Sequence, residues 1–331
     1  MKISFPSFLL GLILLFITSC GTQTGNKKAT TKTVRSNIVS GFNADSAYAF
    51  TAKQVAFGPR VPGTKAHAEC ASWMINKLKK FSDTVYVQKF KARTYDGVTR
   101  KGINIIASLN PEESSRVLLL AHWDSRPFAD HDKDPANYHK PIDAANDGAS
   151  GVAVLMELMR QFKLKNPGKG VDVLLVDLED WGPPDFENHP YKEENWGLGS
   201  QYWAKSPHIP GYQANYGILL DMVGAKNPIF KKEYYSMGYA GYVVNEVWRI
   251  AGELGYGDYF VNEEAGAISD DHVFINKYRN IPTIDIIHLD SHSSNGSFYE
   301  YWHTTGDTMD KIDKNTLLMV GTVVGTTVYN E

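Results

Sequence analysis

The chain has 331 residues, 43% of them hydrophobic, and its 34 Lys and Arg against 37 Asp and Glu leave a formal net charge of -3. That balance excludes the basic field with which nucleic-acid binders displace counterions, so no nucleic-acid partner is expected. Setting the first segment aside leaves roughly 300 residues, enough to bury the core of one large α/β domain.

The chain opens with "MKISFPSFLLGLILLFITSC", which combines Lys2, an apolar stretch over 8–17 and the small residues Thr18 and Ser19 before Cys20. The stretch is too short and wrongly flanked for a spanning helix, and predicts a signal peptide over 1–19. "ITSC" resembles the lipobox of bacterial lipoproteins, which implies a lipid on Cys20 and a place in the cell envelope. Gly21 after it resembles Gram-negative sorting toward the outer membrane, facing the periplasm. The polar segment 20–41, rich in Thr and Lys, reads as a flexible tether, with the anchor as the only membrane contact. Cys70 is then the one cysteine inside the folded part, over 42–331, so no intramolecular disulfide is expected there.

"ADSAYAFTAKQVAF" has helical spacing and stops at Gly58 and Pro59. "TKAHAECASWMINKLKKF" follows as an amphipathic helix with Ala66, Cys70, Trp73, Met74 and Leu78 on its apolar side. "TVYVQKFKA" and "GINIIASL" alternate like strands around Asp96-Gly97, a hairpin signal. After them come four short, nearly continuous apolar runs: "RVLLLAHWDS", "VDVLLVDLED", "YGILLDMVG" and "NIPTIDIIHLD". Such runs suit strands covered on both faces. Helical patterns separate them: "GASGVAVLMELMRQF", a short "GLGSQYWA" and "YVVNEVWRIAGEL"; "NTLLMVGTVVGTTVYNE" closes the chain. The alternation predicts an α/β fold with a doubly wound, mixed and largely parallel sheet flanked by helices.

Ligands bind at the carboxyl ends of the strands in such sheets. Here those ends carry His122 and Asp124, then Glu179 and Asp180, then Asp221. "DAANDGASG" sets Asp147 just before a helix start, where free N–H groups favour a carboxylate, and "EYWHTTGDT" supplies His303 from a loop. Carboxylates and imidazoles on one rim are the donor types of a catalytic zinc site. Taken singly each has a plainer reading, as cap, turn former or surface histidine; it is their recurrence at successive strand ends that points to a metal. "DHDKDPAN" at 130–137 mimics a calcium loop, but Pro135 and Pro141 stand where its glycine and glutamate belong, so it reads as a solvated loop. His131, His139, His189, His208 and His292 fall in polar insertions and receive no role.

In their order, H-x-D at 122–124, N-D-G at 146–148, the acidic pair 179–180, Asp221 and His303 resemble the zinc aminopeptidase family, a single α/β domain. The match runs from about residue 42 to the end and takes in "GPRVPGT" at 58–64. Two branches share that scaffold. Aminopeptidases hold two zincs, which here implies Asp147 bridging, Asp180 and His303 on one metal and His122 and Asp221 on the other. Glutaminyl cyclases hold one zinc, on the positions occupied here by Asp147, Asp180 and His303. "ILLDMVGAKNPIF", "SDDHVFINKYRNIPTIDII", "YWHT" and "LGSQYWA" after a long acidic, aromatic insertion resemble the cyclase branch in its bacterial form. Asp180 replaces the glutamate of the animal enzymes, and Asp285 replaces a histidine.

The resemblance implies conversion of N-terminal glutamine of peptides and proteins to pyroglutamate with release of ammonia, one Zn(2+) acting as Lewis acid. It implies Glu179 as proton shuttle, Asp221 and Asp270 steadying the leaving amide and sharing a proton or hydrogen bond, and His272 supporting them at the substrate site. Trp302 and Trp181 would wall the pocket. The substrate supplies the nucleophile, so one metal suffices, whereas the alternative, a two-zinc aminopeptidase, must activate water. A third reading, a catalytically silent binding protein on this scaffold, is disfavoured by the presence of Glu179.

Overall fold

Four apolar runs build the centre of the molecule: β3 (Arg116–His122), β4 (Gly170–Val176), β5 (Tyr216–Asp221) and β8 (Thr283–Ile287), all buried throughout. They lie parallel in the order β4-β3-β5-β8. The hairpin β1 (Thr84–Arg93) and β2 (Thr99–Leu109) adds two antiparallel strands beside β4, completing a mixed six-stranded sheet. These statements describe residues 41–330 of a computed structural model. The expected signal peptide, lipidated Cys20 and nearly all of the tether lie outside the described residues.

Side chains alternate across the sheet with the two-residue period of a strand. Val117, Leu119 and Ala121 of β3 join the larger core with α1 (Ala44–Val55), α2 (Lys65–Phe81), α3 (Ala149–Leu164), α5 (Tyr234–Glu253) and α7 (Lys314–Asn330). Leu118 and Leu120 face the opposite layer, with Trp203 of α4 (Leu198–Lys205) and Ile275 of α6 (Asp271–Arg279). Helices therefore cover both faces, as the alternation of patterns predicts. Cys70 sits in the larger core, where burial pushes its thiol up to about 12. Among the described residues no helix is long and apolar enough to cross a membrane.

Some elements depart from the periodic reading. α5 starts at Tyr234 rather than near Tyr242, because the Glu233 carboxylate accepts the N–H groups of Tyr235 and Ser236 and caps it there. Ala240 inside it is non-helical (φ -145°, ψ 40°), which breaks the sequence period. α6 was not expected; Asp270 caps it by accepting the Asp271 N–H. A short parallel pair, β6 (Phe230–Lys232) and β7 (Phe260–Glu264), was also not expected, since neither strand alternates over enough residues to signal itself.

Candidate active site

Parallel register brings the strand ends together: His122 lies opposite Val176, and Leu120 opposite Leu219, so the loops after β3, β4 and β5 open at one edge. A cavity of about 490 Å³ lies there, lined by Asp147, Glu179, Asp180, Asp221, Asp270 and His303 among others. The backbone is forced at these corners. Leu178 just before the acidic pair, Met222 just after Asp221, Ala144 and His303 itself all have φ between 50° and 57°. Non-glycine residues held there cost about 1–3 kcal/mol each and cluster at functional sites.

Donor atoms of Asp147, Asp180 and His303 lie within 4.8 Å of one another. His303 Nε2 is 3.1 Å from Asp180 Oδ1 and 3.7 Å from Asp147 Oδ2. The second oxygen of Asp180 and Oδ2 of Asp147 are buried with no hydrogen-bond partner among the described residues. Buried carboxylate oxygens are rarely left so, and a divalent cation among the three side chains satisfies them. The donor set thus fits zinc. A second group, His122, Asp147 and Asp221, also converges: His122 Nε2 is 3.0 Å from Asp147 Oδ1 and 3.4 Å from Asp221 Oδ1.

Several contacts hold these donors, and sequence reading missed most of them. Asp124 accepts the N–H of Glu179 at 3.2 Å and of Asp180 at 3.3 Å, fixing the acidic pair from the neighbouring strand end. Arg126 forks onto both oxygens of Asp130 at 2.7 and 2.6 Å and reaches Asp180 Oδ1 at 3.3 Å. Asp130 in turn lies 3.5 Å from Nδ1 of His303, the side away from the donor cluster. Carboxylates in that position orient a ligating imidazole. Burial alone would raise Asp130, but Arg126 and His303 outweigh it and hold the carboxyl far below the usual range. Gly148 (φ 97°) heads α3 where an added Cβ would sit 2.9 Å from the His122 ring, so the close approach of the two loops requires glycine.

Glu179 lines the cavity without belonging to either donor group, 4.0 Å from His122 Nδ1. Burial pushes its carboxyl well above the ordinary range; His122 opposes the shift, while Asp180, Asp270 and Asp271 add to it. Burial likewise raises Asp221 to about 7, against the His122 hydrogen bond and with the like charges of Asp270 and Asp147. Asp221 Oδ1, which faces His122 Nε2, and Asp270 Oδ2 are both buried, and the two residues line the same cavity.

Trp302 lines the cavity and lies almost flat on His303, ring centroids 3.8 Å apart and planes at 24°. Trp181 does not reach it. Beyond the Leu178 turn its side chain points back toward β2, packs with Val61, Phe90, Leu178 and Leu198, and is covered by the Arg100 guanidinium 4.0 Å from the ring. Trp196 takes the wall position instead, 4.9 Å from Arg126 and seated on Gly182, where a Cβ would meet its ring at 2.2 Å. His272 is fully buried on α6, with Nε2 3.2 Å from Glu233, and does not line the cavity. Asp270 at the helix cap lines the cavity, but the His272 side chain turns away from it to Glu233 and does not touch substrate. His131, given no role above, lines the cavity, 4.3 Å from the Trp302 ring, and Asp130 beside it is buried; the loop 130–137 is not wholly solvated.

The strand-end rim, the paired carboxylates and the cation-ready donor set are those of a metallohydrolase-type α/β enzyme. The chain belongs to peptidase family M28, which it matches over residues 104–328. It is 27% identical over 289 residues to the glutaminyl-peptide cyclotransferase of Bos taurus, covering 78% of this chain and 74% of that protein. Among solved structures, the glutaminyl cyclase of Tannerella forsythia is 51% identical, with a TM-score of 0.85 over 88% of this chain and 99% of that one. A Zn-dependent exopeptidase from Parabacteroides distasonis is equally similar: 51% identity, TM-score 0.85, 88% and 99% coverage.

Proposed function

We infer that the chain is a glutaminyl-peptide cyclotransferase that converts N-terminal glutamine to pyroglutamate and releases ammonia. The observation that carries this reading is Glu179, a half-buried carboxylate with a raised proton affinity, off the metal donors but in the same cavity. A zinc ion held by Asp147, Asp180 and His303 would supply the Lewis acidity that makes the γ-amide carbonyl electrophilic. Glu179 takes the proton from the α-amine as its nitrogen bonds to Cδ, and returns it to the departing ammonia as the Cδ–N bond breaks. Asp221 and Asp270, which line the same cavity, accept from the amide NH2, which offers two donors. Trp302 gives the flat side chain a wall and holds His303 in place.

One zinc per chain is part of this proposal, since the nucleophile comes from the substrate. The runner-up, a two-zinc aminopeptidase, is favoured by one observation, the convergence of His122, Asp147 and Asp221. Metal analysis joined to product analysis on a Gln-initiated peptide separates them. About one zinc with ammonia release supports the cyclase; two zincs with release of free glutamine would overturn it.

We further propose that Cys20 carries a lipid that anchors the enzyme in the bacterial envelope, facing the periplasm at the outer membrane. The support is the "ITSC" segment behind an apolar run of signal-peptide length. Cys20→Ala is expected to move the protein from the membrane fraction to the soluble one, and unchanged fractionation would refute the anchor.

A further inference from the structure

A second cavity, about 330 Å³, opens beside the first under the strap 183–189 and shares Asp185, Tyr191 and Trp196 with it. The shared wall lets a peptide whose first residue fills the catalytic cavity set its next residue at this opening. The walls combine aromatic faces with acid. Tyr191 is 69% exposed, Phe186 is propped by Tyr138 and Phe128 behind it, and Asp185 and Glu187 both line the space. No lysine or arginine is among the lining residues. Among the described residues the two carboxylates are met only by imidazoles, Asp185 by His131 at 3.0 Å and Glu187 by His189 at 2.8 Å, and the Asp185 side chain stays 69% exposed.

The strap is a fixed wall. The Asp185 N–H donates to Asp130 at 3.0 Å, Arg126 reaches the Pro183 carbonyl at 3.4 Å, and the Glu187 N–H closes a turn on Pro184 at 3.0 Å. Its position is thereby tied to the Arg126 and Asp130 pair that steadies the metal donors. An exposed aromatic face next to carboxylates that only imidazoles meet among the described residues suits an ammonium or guanidinium group. Acidic side chains meet like charge there.

We propose that this side cavity selects the residue that follows the glutamine, and that it favours a lysine or arginine side chain, held by Asp185 and Glu187 against Tyr191. The inference rests on the cyclotransferase reading. The test compares kcat/KM for ammonia release from matched peptides beginning Gln-Lys, Gln-Ala and Gln-Glu. The expected result is a preference of about fivefold for Gln-Lys over Gln-Ala, and more over Gln-Glu, that shrinks with added salt. Glu187→Lys is expected to reverse the order of Gln-Lys and Gln-Glu while Gln-Ala turnover holds, and Asp185→Asn to weaken the preference. Equal rates for all three peptides, or an order unmoved by Glu187→Lys, would overturn the inference while Gln-Ala turnover keeps the cyclotransferase reading intact. Absence of ammonia from every peptide would sink both.

Discussion

The Asp307 carboxylate accepts the backbone N–H of Asp147 at 3.0 Å, and that of Asn146 at 3.0 and 3.2 Å, from a position four residues beyond His303. One buried side chain thus ties the loop bearing one metal donor to the loop bearing another. Asp307→Asn turns one acceptor into a donor facing these N–H groups. It is expected to weaken zinc binding about 10–100-fold, measured by competition with a chelator. It is also expected to lower stability by about 1–3 kcal/mol in urea.

Arg126 neutralises Asp130 and reaches Asp180, and all three side chains are buried. Arg126→Leu leaves the Asp130 charge without its partner, which is expected to cost about 3–5 kcal/mol. Equilibrium denaturation checks this. A double variant with Asp130→Asn is expected to recover part of the loss, since the uncompensated charge is then gone.

Glu179→Gln keeps the shape of the side chain and removes its proton transfer. The expected outcome is a fall in kcat of about 10²–10⁴ with zinc content unchanged. Loss of zinc instead would show that Glu179, rather than Asp180, is the ligand.

The two tryptophans make a contrasting pair. Trp302→Ala removes a cavity wall and the ring lying on His303, and is expected to raise KM and lower kcat together. Trp181→Phe, packed under Arg100 away from the cavity, is expected to change thermal stability with KM for a Gln-peptide held.

Glu233 gives a pH signature away from the reacting groups. Burial raises its carboxyl, but His272 and the N–H groups of Ile268 and Ser236 outweigh that and hold it near about 2, below the ordinary 4.5. A depressed value in the fold means stability present above pH 4.5 and lost as pH falls toward 2. The contribution is about 3 kcal/mol at neutral pH. Glu233→Gln is expected to be less stable at pH 7 and to lose less on acidification between these limits, read from urea midpoints across the range.

Local pattern carried much of this protein. The apolar runs ending at His122, Asp180 and Asp221 specified buried parallel strands because no other element hides a short, continuous apolar segment so well. Strand ends then placed Glu179, Asp180 and Asp221 on one rim, with Asp147 from the start of α3 and His303 from a loop, and the structure brings them to one cavity. Capping was legible too, in principle: Asp270 before "DHVFINKYR" is the signal that would have found α6.

Tertiary structure alone decided which neighbours of those residues matter. Trp181 and Trp196 are both aromatic residues near the acidic pair, and only the packing of the fold turns the first away from the cavity, against Val61, Phe90 and Leu198, and leaves the wall to the second. Arg126, Asp130, His131 and Asp307 lie in loops without periodicity, so nothing local told which of them would face the donors. Secondary-structure periodicity encodes which face of an element is buried. The direction of a loop side chain is set by what the rest of the chain packs around it.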